Sequence, residues 1–295
     1  MSSVESPAGL KPPRAILEGN LARACAADGV GTFILVFFGC GVVHAAALAK
    51  AQQGLFEVAV VWGIAVAVAI YATAAMSGGH INPAMTAAFA LLGGFPKRNV
   101  VPYWLAQLAG AFLAAAVLHV VYGPLIASVE AAGGVVRGLP GSEITAMCYG
   151  EYFPNPEMGT DAEAFKKVTE PGAFLAEFAG TAILAIVVFA LSDPSNSRGP
   201  GSGLAPVLVG LTIAALISVI APLTQACFNP ARDFGPRVFA WLAGWGPIAI
   251  PGPRGGFFTV YILAPMAGAV AGAAFFRAVL KPGYGPPGYG PPSHP

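Results

Sequence analysis

Charge is what this sequence has least of. Only 10% of its 295 residues are Asp, Glu, Lys or Arg, against 56% hydrophobic, whereas a soluble domain carries about 25% charged residues. That leaves too little polar material to cover a water-facing surface. Lys plus Arg number 15 and Asp plus Glu 14, a net charge of +1, and no basic block points to a nucleic-acid partner. The four cysteines, Cys25, Cys40, Cys148 and Cys227, are scattered without metal-ligand spacing or a disulfide framework, and the three in apolar or re-entrant stretches read as small buried hydrophobes. There is no nucleophile–base set, metal cluster or phosphate loop, which argues against an enzyme and gives no reason to expect a metal or cofactor.

In place of charge there are long apolar runs and small residues. The 38 glycines, with the Ala-rich stretches, suit helices that pack closely in lipid. A helix needs roughly 20 apolar residues to cross a bilayer. Six stretches qualify, at about 22–48, 57–76, 101–123, 172–192, 204–222 and 257–280. Two shorter ones, about 83–93 and 230–243, are half that length and read either as surface helices or as re-entrant half-helices. The first run imitates a secretory signal, but it exceeds the usual core of about 7–15 residues and is expected to be retained.

Orientation follows from Lys and Arg. Six spans put both termini on one side, with Lys11, Arg14, Arg23, Lys97, Arg98, Arg198, Arg277 and Lys281. The other side has Lys50, Arg137, Lys166, Lys167 and Arg254, diluted by Glu130, Glu143, Glu151, Glu157, Asp161, Glu163 and Glu170 in one long loop at 124–171. Both termini are therefore expected in the cytoplasm. The loop is long enough for a function or a partly ordered cap. Residues 1–20 and the Pro/Gly-rich stretch 281–295 read as flexible arms.

The chain also repeats itself. Asp28-Gly-Val-Gly-Thr-Phe-Ile-Leu is echoed 149 residues later by Glu177-Phe-Ala-Gly-Thr-Ala-Ile-Leu, and Asn82-Pro83-Ala84 is echoed 147 residues later by Asn229-Pro230-Ala231. Each half then holds three spans and one Asn-Pro-Ala segment. An odd number of spans forces the halves into opposite orientations, and inverted repeats place the working site near the midplane between them.

Asn is a strong N-cap, and Pro suits the first helical position because its missing N–H would be unpaired there. Each Asn-Pro-Ala is thus a helix start, and inversion brings the two starts head to head at mid-membrane. Irregular backbone there is tolerable only where it lines a cavity or is buried in protein. Two helix N-termini each bring roughly half a positive charge to that point, and the amides of Asn82 and Asn229 are expected to donate into the lumen. Such a centre suits neutral hydrogen-bonding solutes and repels cations, protons included.

Ser77-Gly-Gly-His80-Ile-Asn82-Pro83-Ala84 and Phe228-Asn229-Pro230-Ala231-Arg232-Asp233-Phe-Gly-Pro236 resemble the paired signatures of the major intrinsic proteins, the aquaporin superfamily, and the likeness extends over roughly residues 20–280. The resemblance implies an all-α membrane protein of six transmembrane helices plus two re-entrant half-helices in two inverted repeats. A channel domain at 21–280 would hold repeats 21–123 and 172–280, joined by an extracellular loop 124–171. It also implies that Asp28, a shorter variant of the usual Glu, and Glu177 brace the re-entrant loops. His80 would shape the inner half of the pore. A homotetramer in the plasma membrane, with one pore per subunit, is expected.

Asp233 and Arg237, four residues apart and able to pair, resemble the glycerol-facilitator branch. So do Pro265-Met266 and Tyr152-Phe153-Pro154-Asn155-Pro156. A charged Arg within the membrane costs about 2.5–3.5 kcal/mol on insertion scales, so Arg232 calls for a functional reason; the bland alternative is an ion pair with Asp233. Trp62, Ile217, Ala226 and Arg232 should reach a similar depth and match the family's aromatic/arginine filter. A usual glycerol facilitator would have Gly and Phe in place of Ile217 and Ala226. The set found here resembles the filter of one class of plant nodulin-type channels, which implies passage of water and glycerol. Urea and metalloid hydroxides such as As(OH)₃ are further candidate solutes. His44 and His119 read as packing residues.

Two other readings compete. A water-selective channel of the same fold is disfavoured by Ala226 and by the lack of a His opposite Arg232. An ion- or proton-coupled secondary transporter would need coupling groups near the midplane. Asp28 and Glu177 stand at matched repeat positions beside the half-helices, which suits bracing instead.

Overall fold

Among the described residues, six helices are long and apolar enough to cross a membrane, and they are apolar on every face, as expected of segments buried in protein on one side and lipid on the other. The computed structural model describes residues 20–284 apart from 197 and 202. Most of both expected arms, 1–19 and 285–295, lies outside the described residues. Four spans are named α1 (Leu21–Ala49), α2 (Leu55–Ser77), α4 (Val100–Ala132) and α5 (Glu170–Ser192), with the half-helix α3 (Pro83–Ala88) between α2 and α4. The fifth span is α6 (Ala205–Thr224) and the second half-helix is α7 (Pro230–Ala240); α8 (Ala264–Phe275) is the central part of the last span, Phe258–Gly283. Among the described residues there is no strand.

The element boundaries have local causes. Asn20 accepts the Arg23 N–H ahead of α1, and Thr169 accepts the Gly172 N–H ahead of α5. Each half-helix ends in a π-helical turn, Phe89–Gly93 after α3 and Trp241–Trp245 after α7. Large side chains such as Phe38, Val120, Leu175 and Val219 face outward. A water-soluble monomer rarely exposes so much contiguous apolar surface; a lipid-facing surface is made of it.

Packing reproduces the sequence repeat. In the first half α1 packs on α2 and α4; in the second, α5 packs on α6 and α8. Each half-helix crosses into the other repeat, α3 against α8 and α7 against α4, while α2 and α6 meet on the pseudo-twofold axis. Gly63 and Gly210 make that meeting possible, since a Cβ on Gly63 would lie 2.6 Å from the Gly210 carbonyl oxygen and one on Gly210 would lie 2.3 Å from the Gly63 oxygen. The two ends of the described residues share a face, where Leu21, Phe276 and Tyr284 join one apolar cluster.

The opposite face is closed by the long loop, and here the expected boundary shifts. α4 does not stop at 123 but runs through Pro124 to Ala132. Pro124 removes one helix hydrogen bond, yet Leu-Ile-Ala-Ser-Val-Glu-Ala-Ala after it sustains the helix. Glu130 is held at the helix end by Arg137 (2.8 Å) and Thr145 (2.9 Å). The loop proper, 133–169, is ordered into three short helical segments, Glu143–Ala146, Pro156–Met158 and Ala162–Lys167. Its middle dives inward, and Met147, Cys148, Tyr149 and Glu151 are buried.

Candidate functional site

The two Asn-Pro-Ala segments are built alike. Asn82 Oδ1 accepts the Ala84 N–H (2.8 Å), and Asn229 Oδ1 accepts the N–H groups of Ala231 (3.1 Å) and Arg232 (3.2 Å). Pro83 and Pro230 follow at the first helical position. The amide nitrogens then cross over: Asn82 Nδ2 donates to the Phe228 carbonyl (2.9 Å) and Asn229 Nδ2 to the Ile81 carbonyl (2.8 Å). Each amide carries two N–H donors, so one from each remains for the lumen. The crossed pair ties the two half-helices tip to tip.

The braces match as well. Asp28 accepts the N–H groups of His80 (3.0 Å) and Ile81 (3.1 Å), and Glu177 accepts those of Cys227 (3.0 Å) and Phe228 (2.9 Å). Asp28 reaches as far as Glu177 does, and Gln107 supports it from α4 at 2.6 Å. Tyr103 donates to the Ser77 carbonyl and Tyr261 to that of Thr224, a second matched pair. Ile81 and Phe228 hold positive φ, 43° and 53°. These strained turns persist because the braces over-determine them.

Both loops and the spans around them enclose a cavity of about 340 Å³. Trp62, Ile217, Ala226 and Arg232 all border it, as do His80, Asn82 and Asn229. Leu35, Val66, Leu184 and Ile213 supply apolar walls. The repeat explains why the filter candidates sit at one end only. At the equivalent positions, 147 residues away, stand Val209 for Trp62, Ile70 for Ile217, Gly79 for Ala226 and Met85 for Arg232, and all four border the same cavity. One scaffold is used twice, and only one of the two sets has a cation and an indole.

The Arg232 guanidinium lies 4.1 Å over the Trp62 ring, a cation–π contact, and Nη1 forms an ion pair with Glu151 Oε1. The bland alternative of an Arg232–Asp233 pair is therefore overturned: Asp233 is taken by Arg237, at 2.8 and 2.9 Å. Arg237 also donates to the carbonyls of Ala249 and Glu151. Trp62 in turn lies flat against α1 at Gly39, where a Cβ would come within 2.1 Å of the indole. His80 stacks on Phe89 and meets Thr86 Oγ1 through Nδ1 (3.2 Å). His44 and His119 stand apart from the cavity. His119 Nδ1 contacts the Tyr149 hydroxyl, and His44 Nδ1 the Cys40 carbonyl, but His44 Nε2 has no partner among the described residues. His44 is therefore buried but only half satisfied.

A model of the major intrinsic protein family matches residues 16–276. The chain belongs to this family. Among curated relatives, it is 43% identical over 264 residues to the glycerol uptake facilitator protein of Pseudomonas aeruginosa, covering 88% of this chain and 90% of that one. It is equally identical to the glycerol uptake facilitator protein of Escherichia coli K12, covering 88% and 89%. A propanediol uptake facilitator of Salmonella typhimurium is 41% identical, covering 88% and 95%. Among solved structures, the aquaglyceroporin of Plasmodium falciparum superposes with a TM-score of 0.76 at 24% identity, covering 89% of this chain and 98% of that one. The fold is the aquaporin fold, and the chain is a multi-pass membrane protein.

Within this major intrinsic protein, Glu151 is the site residue that sequence reasoning did not single out. It stood among seven loop acids with nothing to separate it from Glu143 or Glu157. It is fully buried, and Oε2 has no hydrogen-bond partner among the described residues. Burial pushes its carboxyl up to about 8, against the downward pull of Arg232. The one available sequence signal was its place just before Tyr152-Phe153-Pro154-Asn155-Pro156.

Proposed function

We propose that the chain is a passive transmembrane channel for glycerol, water and other small uncharged solutes. The observation that carries this reading is the reciprocal Asn82–Phe228 and Asn229–Ile81 bonding at the meeting point of two half-helices, inside a cavity walled by apolar side chains. A polyol has a carbon face and a hydroxyl face. The apolar walls suit the first, and the carbonyls of the two loops and the remaining amide donors suit the second. Relatives named glycerol and propanediol uptake facilitators support small polyols as the solute class.

In this reading the helix N-termini and Arg232 exclude protons and cations electrostatically. Trp62, Ile217, Ala226 and Arg232 form the selectivity filter; Asp233 and Arg237 hold its backbone. Urea and metalloid hydroxides belong to the same class of neutral solutes. The working form is a homotetramer in the plasma membrane with both termini cytoplasmic.

Stopped-flow light scattering on proteoliposomes tests the reading. Fast re-swelling in a glycerol gradient is expected. Fast shrinkage in sucrose without glycerol re-swelling would establish a water-selective channel instead, and uptake against a gradient at the expense of an ion would establish a coupled transporter.

A further inference from the structure

Gln225 is the residue between α6 and the filter residue Ala226, and it holds φ at +62°. That left-handed conformation is free for glycine and strained for a side chain. The side chain here has a use. Its Oε1 accepts the Tyr152 N–H at 2.9 Å, and its Nε2 donates to the Met147 carbonyl at 3.4 Å. One carboxamide thus fastens two points of the long loop, on either side of Glu151, to the segment that carries the filter residue Ala226.

Glu151 is gripped from a second direction through its backbone. Its N–H donates to Asp233 Oδ1 at 2.7 Å, and its carbonyl accepts from Arg237 Nη2. Neither grip touches the carboxylate, which is left to face Arg232. Farther out, Tyr152 donates from its hydroxyl to the Ile248 carbonyl, and Asn155 is fastened to the carbonyls of Leu223 and Ala221 at the end of α6; the Gln225 tether is the one that joins the residue next to Ala226 to the loop on both sides of Glu151.

We propose that Gln225 is a positioning residue of the filter, acting through Glu151: its carboxamide fixes where the loop delivers the Glu151 carboxylate, and hence how much of the Arg232 charge and how many of its N–H donors face a passing solute. The long loop is then a working part of the filter. This rests on the channel reading above and adds a regulator of its selectivity.

The test follows from the chemistry of the group being positioned. Glu151 faces Arg232, Arg237 and Asp233 from α7 and Glu177 from α5, and burial holds its carboxyl high, at about 8. Loosening the stretch that carries Glu151 lets water reach it and returns it toward the ordinary carboxylate range. Gln225→Gly keeps the backbone conformation and removes only the tether; Gln225→Ala is measured beside it, so that poor recovery of one leaves the other.

Glycerol and water permeabilities of reconstituted protein are recorded from pH 5 to 9. The wild-type glycerol-to-water ratio is expected to titrate near the Glu151 value, and Gln225→Gly is expected to move that midpoint down by about one unit or more. In a Glu151→Gln background, Gln225→Gly should change nothing further. An unmoved midpoint, a wild-type ratio that does not titrate, or an undiminished Gln225→Gly effect in the Glu151→Gln background would overturn the proposal. Absence of both glycerol and water flux in the wild type would instead bring down the channel reading on which it stands.

Discussion

Glu151, carried by a loop outside the spans, forms an ion pair with Arg232 at the start of the second half-helix. The only charged side chain bordering the cavity among the described residues is therefore partnered by a residue from the connecting loop. The guanidinium is pinned between that carboxylate and the Trp62 indole 4.1 Å away, so its geometry is fixed before any solute arrives. Preorganised donors need no reorganisation when the solute passes.

The sign of the pH effect follows. Above about 8 the Glu151 carboxylate cancels the Arg232 charge; below it the acid is neutral, and Arg232 faces the lumen with its charge uncompensated. The glycerol-to-water permeability ratio is expected to rise as pH falls through that value, because more guanidinium donors become available to hydroxyl groups. Glu151→Gln should hold the low-pH ratio throughout. A variant that still titrates with the wild-type midpoint would assign the effect to another group. Stopped-flow measurements in buffers from pH 6 to 9 make the check.

Gly39→Ala tests the seat of Trp62. A Cβ there would lie 2.1 Å from the indole, so the ring must move toward the lumen. Overpacking of this kind costs about 1–3 kcal/mol, which leaves the protein folded but narrows the filter. Glycerol flux should fall by about tenfold or more, the effect of roughly 1.4 kcal/mol on a barrier, with little change in helical circular dichroism. Unchanged flux would mean that the indole does not limit passage.

Glu177→Gln and Asp28→Asn test the braces. In each case a carboxylate that accepts two backbone N–H groups becomes an amide with a single acceptor oxygen. One buried N–H loses its partner, at a cost of about 1–3 kcal/mol. Detergent-solubilised protein should unfold at a lower temperature in both variants. If only one does, the two halves are not equivalent in stability despite their matching geometry.

Exchanging bulk across the filter tests its specificity. Ile217 and Ala226 border the cavity on different elements, α6 and the second loop. Ile217→Gly combined with Ala226→Phe is expected to raise glycerol flux relative to water, by about threefold or more if the gain in fit is near 0.6 kcal/mol. A ratio equal to that of the wild type would remove these two positions from the selectivity argument.

Much of the architecture was legible in the sequence because it rests on local and periodic signals. Apolar length gave the six spans, and the half-helices at 83–93 and 230–243 follow from Asn-Pro-Ala caps that act within one turn. The Asp28 and Glu177 offsets located the inverted repeat, since matched residues in inverted halves fall into matched environments. The third helix runs nine residues past the expected end of its span at 123, to Ala132; its end is held by Glu130 bonding to Arg137 and Thr145, contacts that span sequence separations of 7 and 15 residues.

What the sequence determined by itself was the family, the fold, the two capped half-helices and the residues around their meeting point, because each is encoded in a local motif or in its repetition. What only the tertiary structure decided was the partner of each charge. Asp233 takes Arg237 and leaves Arg232 to Glu151, 81 residues earlier in the chain. Such a choice depends on which buried groups come within reach once helices and loop are packed. Burial makes an unpaired charge costly, so the pairing is set by the whole fold and by no stretch of it alone.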